Sequence, residues 1–180
     1  MKIQSAEDLE KIGQQYQQRL YWPDAVKVNI GMASCGIAAG AQKSYEKAQE
    51  IYPAGSGIQV CQTGCIGFCE EEPLVEILGY GKPRVMCKHI TADKIAETIQ
   101  GYLDGDFKKK WILGQMRDPR CILEEKIDNP LAEVKPLEGI PFLEDIPFYS
   151  KQFKIALRNC GYTDPDSIEE YIAKRGYQAF

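Results

Sequence analysis

The chain has 180 residues, of which 44% are hydrophobic and 27% are charged, and this composition excludes a disordered or collagen-like protein. Its length suits one or two small globular domains. The net charge of −4 argues against binding to nucleic acid, which requires a positively charged surface. The one basic run, at 108–110, is short and fits a solvated linker. No apolar stretch approaches the ~18 residues that span a bilayer, and no signal peptide opens the chain. We therefore expect a cytoplasmic protein without membrane insertion.

The first half of the predicted domain begins with a helix. Residues 5–8 resemble a capping box, and apolar residues then recur at helical spacing until Trp22 and Pro23. Alternation over residues 26–32 predicts a strand, followed by a tight loop through Cys35 and a second helix that Pro53 ends. The apolar positions of the two helices are Leu9, Ile12, Tyr16, Leu20, Ala38, Ala41, Tyr45 and Ala48.

The second half adds three strands and a helix. Strands are predicted at 57–62, 74–78 and 84–88, with a hairpin turn at 79–82 between the last two. Thr91 is expected to cap a helix whose inward residues are Ile95, Ile99 and Leu103. The order α-β-α-β-β-β-α predicts an α/β fold with a small mixed sheet covered by helices, as in the thioredoxin family.

The remainder of the chain loses this periodicity. Prolines punctuate residues 105–149, which predicts an extended linker after a domain at 1–104. Residues 151–158 fit a short strand or helix. Asp164 is then predicted to cap a helix with proline at its first position. The expected apolar face of this short helical tail, in a third unit at 150–180, consists of Ile168, Tyr171 and Ile172.

Three of the seven cysteines lie within nine residues, in the sequence CQTGCIGFC at 61–69. An odd count in a reducing compartment argues against a disulfide framework and favours metal or redox chemistry for a cluster of thiols. Glycines at 64 and 67 permit tight turns and let backbone N–H groups reach the sulfurs. Because parallel strands in a β-α-β unit end at the same edge, Cys35 should meet Cys65 and Cys69 there. Iron–sulfur clusters are held by thiolates, usually four.

Other uses of these cysteines fit less well. Structural zinc sites need a second cysteine pair or histidines, and only one loose pair, Cys65 and Cys69, is present. A radical-SAM motif has a shorter last spacing and needs a barrel larger than this chain. A thioredoxin-like dithiol needs C-x-x-C, which is absent. Buried cysteines without any ligand, in a cluster-free fold, remain the alternative.

Three segments resemble a known family. SCGIAAGA at 34–41 and TGCIGFCEEEPLVEI at 63–77 resemble the thioredoxin-like [2Fe–2S] ferredoxin module. More narrowly, they resemble the N-terminal module of the NADH-binding flavin subunit in bacterial NADP-reducing and electron-bifurcating iron hydrogenases. That subunit is related to the NADH-binding subunit of respiratory complex I. LRNCGYTDPDSIEEYIAKRGYQAF at 157–180 resembles the segment that enters the subunit's flavin domain.

The resemblance implies cluster ligands at Cys35, Cys65 and Cys69. Family members with a clear cluster carry a further cysteine five residues before the position of Cys35, and here that position is Ile30. The sequence leaves the fourth ligand open. The main candidates are Cys61 and Cys87. His89 could also serve, although a plain surface role is favoured for it. Cys121 and Cys160 lie outside the module, and Cys160 is expected to pack in the tail.

The resemblance also implies a function. Full-length family members bind FMN, NADH and a [4Fe–4S] cluster, but this chain has no motif for them and no predicted catalytic residue. We expect an electron-transfer module, a fragment or short relative, that passes single electrons to or from flavin among the other subunits of a hydrogenase or NADH oxidoreductase. The alternative is a cluster-free docking domain, with Glu70–Glu72 and the proline-rich linker as contact surfaces. If the chain is an electron-transfer module, Glu70–Glu72 is expected to be only a solvated strand edge.

Overall fold

The computed structural model describes residues 3–21, 23–117 and 134–179. The helices in these ranges are α1 Ala6–Tyr21, α2 Ser34–Ala39, α3 Ala41–Ile51, α4 Ile95–Asp104, α5 Pro147–Ser150 and α6 Ile168–Ala173. The strands are β1 Val26–Gly31, β2 Ile58–Thr63, β3 Val75–Leu78, β4 Arg84–Cys87 and β5 Ile112–Met116. None of the described helices has both the length and the apolar character needed to cross a membrane.

The five strands form one mixed sheet in the order β2-β1-β3-β4-β5. β1 and β2 are parallel, while β3, β4 and β5 each run antiparallel to the preceding neighbour in the sheet. The predicted α/β class, with a small mixed sheet covered by helices, is confirmed. The parallel pair ends in the two cysteine-bearing segments, at Gly31 and Thr63.

Each face of the sheet packs against its own apolar layer, because side chains alternate between the faces along a strand. The layer beneath α3 and α4 is built from Val28, Ile30, Ile77, Val85, Ile95 and Ile99. The layer beneath α1 and the tail is built from Leu20, Tyr21, Leu74, Met86, Leu143 and Tyr162. The domain is therefore a three-layer structure in which the C-terminal tail covers part of one face.

The local signals at α1 and at the β3–β4 hairpin are borne out. Asp8 N donates to Ser5 Oγ (3.2 Å) and Ser5 N donates to Asp8 Oδ2 (3.1 Å), which is a reciprocal capping box. The hairpin turn closes with a hydrogen bond from Lys82 N to Gly79 O (3.2 Å).

The second predicted helix is divided in two. α2 ends and α3 begins at Gly40, whose φ of 105° is in the left-handed region that favours glycine. The predicted cap of α4 is also wrong. Lys94 occupies the N-cap position, and Thr91 Oγ1 instead donates to Asp93 Oδ1 (2.6 Å) in the preceding turn.

The range 105–149 is not an extended linker throughout its described part. β5 adds a fifth strand beside β4, and the segment after residue 134 packs back on it. The Gln115 amide joins the two, donating to Leu137 O (3.0 Å) and Ile140 O (2.8 Å) and accepting from Leu137 N (2.8 Å). A strand this short is specified by long-range pairing more than by its own pattern. The domain boundaries at 104 and 149 stay predictions.

The tail differs from its predicted form as well. Residues 151–158 are neither strand nor helix. α6 is capped by Ser167, whose Oγ accepts from Glu170 N (3.2 Å), while Asp164 Oδ1 accepts from Asp166 N (3.0 Å) in a turn before the helix. Ile172 is buried as expected, but Ile168 and Tyr171 are about half exposed (47% and 50%).

Candidate metal centre

The structure brings Cys35, Cys65 and Cys69 together at the carboxyl edge of the parallel strands. The Cys65 and Cys69 sulfurs are 3.6 Å apart. The pKa of Cys69 is raised to about 12, first by its hydrogen bond with Cys35 and second by its hydrogen bond with Cys65. Cys35 and Cys69 are exposed and Cys65 is partly so, which leaves the three thiols at the surface with room for a ligand.

The residues between the cysteines explain this orientation. Ile66 and Phe68 are buried, at 6% and 3% exposure, and anchor the loop in the layer beneath α1. The Phe68 ring lies 5.0 Å from that of Phe148 and 5.8 Å from that of Tyr149, both in α5. Because alternate residues point inward, the flanking thiols point outward. α5, within the predicted linker, thus supports the cysteine loop.

A backbone donor already faces one of the sulfurs. Gly67 N donates to Cys65 Sγ at 3.2 Å. Hydrogen bonds of this kind to cysteine sulfur are among the means by which proteins adjust iron–sulfur clusters.

The structure does not bring the two predicted candidates for a fourth ligand to this group. Cys61 is 3% exposed on β2; its burial raises its pKa to about 12, and its thiol is hydrogen-bonded to Asp164. Cys87 is also 3% exposed, at the end of β4 in the layer beneath α4, and burial raises its pKa to about 12. Both behave as small core residues.

The other predicted positions are also accounted for. His89 is half exposed, with Nε2 2.8 Å from Glu71 Oε2 and Nδ1 3.4 Å from Glu72 O, so both ring nitrogens face protein acceptors. Ile30 is fully buried on β1. Cys121 lies outside the described residues.

The acidic run at 70–72 is not a uniform surface. Glu70 is exposed, whereas Glu71 is ion-paired with Lys88 (2.9 Å). Glu72 is 7% exposed and accepts a hydrogen bond from Leu74 N (2.7 Å), and burial raises the pKa of its carboxyl. Of the three carboxylates, only Glu70 is exposed as a solvated strand edge or a docking surface would require.

Over the described ranges, no group of three or more His, Cys, Asp or Glu side chains converges as the ligands of a single metal ion do. A cluster with two irons has a different requirement, because its four thiolates are divided between the two metals. The donor chemistry of the three thiols fits such a cluster, and their geometry does not fit a mononuclear site.

The sequence predicts only packing in the tail for Cys160, but the structure also places it near this group. Cys160, partly buried in the tail, lies so close to Gly64 that a methyl group on Gly64 would sit 2.8 Å from its sulfur. Burial raises the pKa of Cys160, and the neighbouring Cys65 raises it further. No spacing rule connects a residue in the tail to a loop this far back in the chain.

No protein-family model matches the chain. It is 31% identical over 104 residues to the NADP-reducing hydrogenase subunit HndB of Solidesulfovibrio fructosivorans, a match that spans 56% of this chain and 82% of that subunit. It is 64% identical over 28 residues to subunit HndC from the same organism, which is 16% of this chain and 6% of that subunit.

Among solved structures, the chain is similar to the thioredoxin-like [2Fe–2S] ferredoxin from Aquifex aeolicus. One structure of that protein aligns with a TM-score of 0.45 and 13% identity over 55% of this chain and 99% of the ferredoxin. The wild-type structure at 1.5 Å resolution aligns with a TM-score of 0.44 and 13% identity over 51% and 98%. The predicted relation to subunits of NADP-reducing hydrogenases is confirmed by the sequence matches, and the chain belongs to the family of the hydrogenase subunit HndB.

Proposed function

We propose that this chain is an electron-transfer module of a hydrogenase-associated oxidoreductase and that Cys35, Cys65 and Cys69 hold a [2Fe–2S] cluster. The observation that carries the proposal is the meeting of the three thiols at one edge of the sheet, with the Cys65 and Cys69 sulfurs 3.6 Å apart. When bound, a cluster of this type supplies one-electron transfer.

The surroundings of the thiols support this role. The Gly67 N–H group offers a hydrogen bond to a ligand sulfur, and the buried Ile66 and Phe68 hold the loop in a fixed conformation. The exposure of Cys35 and Cys69 leaves the site open on one side, where a redox partner can approach.

The relatives indicate where the rest of the chemistry lies. HndB and HndC are both named as subunits of an NADP-reducing hydrogenase, and the chain spans only 6% of HndC. We therefore place FMN, NADH and the [4Fe–4S] cluster in other parts of such an assembly, with this module passing electrons to or from the flavin. A cytoplasmic location belongs to the same proposal.

The test is iron and acid-labile sulfide per chain in protein purified and reconstituted without oxygen. We expect about two of each and an S = 1/2 EPR signal after reduction. Cys65→Ser should lose or alter the signal, while Ser34→Ala, an exposed neighbour of Cys35, should leave it unchanged. Absence of iron and sulfide from the wild type would overturn the proposal and favour the cluster-free docking domain.

A further inference from the structure

We infer that Cys160, from the C-terminal tail, is the fourth thiolate of the metal centre formed by Cys35, Cys65 and Cys69. The inference rests on the proposed function, because it concerns the ligand set of the same cluster. It adds that the site is not confined to the N-terminal module: one ligand comes from the segment that packs across the sheet from the far end of the chain.

The first observation is the position of the Cys160 sulfur. It lies against Gly64, the residue directly before Cys65, and a Cβ atom at Gly64 would come within 2.8 Å of it. Only glycine at 64 leaves room for this approach. The tail thiol therefore lies beside the loop that carries two of the three other sulfurs.

The second observation is that the tail is held firmly at this point. Gly161 N donates to Thr63 Oγ1 (2.8 Å), although the two residues are 98 positions apart. Gly161 O accepts from Arg84 Nη2 (3.3 Å) and Asn29 Nδ2 (3.4 Å), both buried on the sheet. Cys160 is thus attached to a backbone segment with its own buried polar partners.

Further along, a second buried contact holds the tail. Lys27 Nζ in β1 lies 2.6 Å from Glu170 Oε1 in α6, with side-chain exposures of 1% and 8%. The other oxygen of Glu170 accepts from Asp164 N (2.7 Å). These contacts, at Gly161 and further along at Asp164 and Glu170, hold the segment that directly follows Cys160 against the sheet.

The third observation concerns the other described thiols. A [2Fe–2S] cluster held by cysteines needs four of them. Cys61 is buried with its thiol bonded to Asp164, and Cys87 is buried in the opposite apolar layer, beneath α4. Either could reach the cluster only by leaving the core, whereas Cys160 is partly buried and already beside the loop.

The experiment uses the full chain, reconstituted without oxygen, as wild type and as Cys160→Ala, Cys160→Ser, Cys61→Ser and Cys87→Ser. Iron and sulfide per chain, EPR of the reduced protein and resonance Raman spectra of the oxidised protein are measured. We expect loss of the cluster in Cys160→Ala. We expect a retained but spectroscopically shifted cluster in Cys160→Ser, with wild-type spectra for the Cys61 and Cys87 variants.

A second measurement needs no variant and guards against misfolding. Thiols are alkylated in the wild-type protein before and after removal of iron, and the labelled positions are mapped by mass spectrometry. Cys160 should be protected when iron is present and labelled when it is absent, together with Cys35, Cys65 and Cys69. Circular dichroism of the apo forms checks that each variant folds.

The outcomes separate the two proposals. A wild type without iron refutes the proposed function. A wild type with iron, together with a Cys160→Ala variant of unchanged iron content and EPR spectrum, overturns only the assignment of Cys160. The assignment of Cys160 is also overturned if Cys61→Ser or Cys87→Ser loses the cluster while Cys160 is labelled equally in the iron-loaded and iron-free protein.

Discussion

A buried ion pair between Glu76 in β3 and Arg84 in β4 lies where the tail packs on the sheet, since Arg84 Nη2 also donates to Gly161 O (3.3 Å). Glu76 Oε1 accepts from Arg84 Nε (2.5 Å), and Oε2 accepts from Arg84 Nη2 (2.8 Å) and from Asn29 Nδ2 (3.0 Å). Both side chains are at most 3% exposed. Burial opposes the charge of Arg84, but Glu76 outweighs it and raises the pKa of Arg84 above its ordinary value.

Replacing Glu76 by Gln keeps the shape of the side chain and removes its charge. It also places an amide donor where Arg84 or Asn29 now donates. Arginine cannot lose its proton in compensation, so the guanidinium stays charged and buried. In the described part of the chain its Nη1 atom already lacks a partner, so the site holds no spare acceptor. Breaking a buried pair in this way destabilises a protein by about 3–5 kcal/mol.

The assay is urea unfolding and thermal unfolding of the apo protein, each followed by circular dichroism. A loss of that size is a large part of the ~5–15 kcal/mol that stabilises a typical domain, and it should lower Tm by about 6–20 °C. The matched control is Glu97→Gln, which removes an exposed carboxylate paired with Lys108 and should cost at most ~1 kcal/mol. If Glu76→Gln falls within 1 kcal/mol of that control, the assigned role of the pair is refuted. Replacing both partners together, as Glu76→Leu with Arg84→Met, should restore most of the loss.

Three further changes test individual contacts. Gly36→Ala places a methyl group 2.2 Å from Gly31 O, so we expect about 1–3 kcal/mol of destabilisation and a lower iron content, and an unchanged melting curve would contradict this. Burial raises the pKa of Glu72, so its contribution to stability is greatest at acid pH and is lost as the pH rises through its folded pKa. Glu72→Gln should therefore raise Tm at pH 8 and have little effect at pH 4; equal shifts at both pH values would refute the assignment. Ser5→Ala removes the acceptor for Asp8 N and should lower the free energy of unfolding by about 1 kcal/mol, measured by urea denaturation, and no change would show that the capping box is redundant.

Short-range patterns in the sequence were sufficient for most of the N-terminal domain. The capping box at Ser5, the alternation in β1 and the turn at Gly79 each depend on neighbouring residues, so they can be recognised without the rest of the fold. β5 was missed because its five residues are held by β4 and by the segment that follows residue 134. The start of α6 was misplaced because Asp164 and Ser167 are both good caps, and the choice between them depends on the contacts of Glu170.

The same division applies to the metal centre. Chain order alone predicts that Cys35 lies near Cys65 and Cys69, because the ends of two parallel strands in a β-α-β unit share one edge of the sheet. Whether the remaining thiols face that edge or the core depends on side-chain packing, which buries Cys61 and Cys87. The approach of Cys160 depends on a tail held by buried polar contacts from the opposite end of the chain, and no local pattern encodes contacts at that separation.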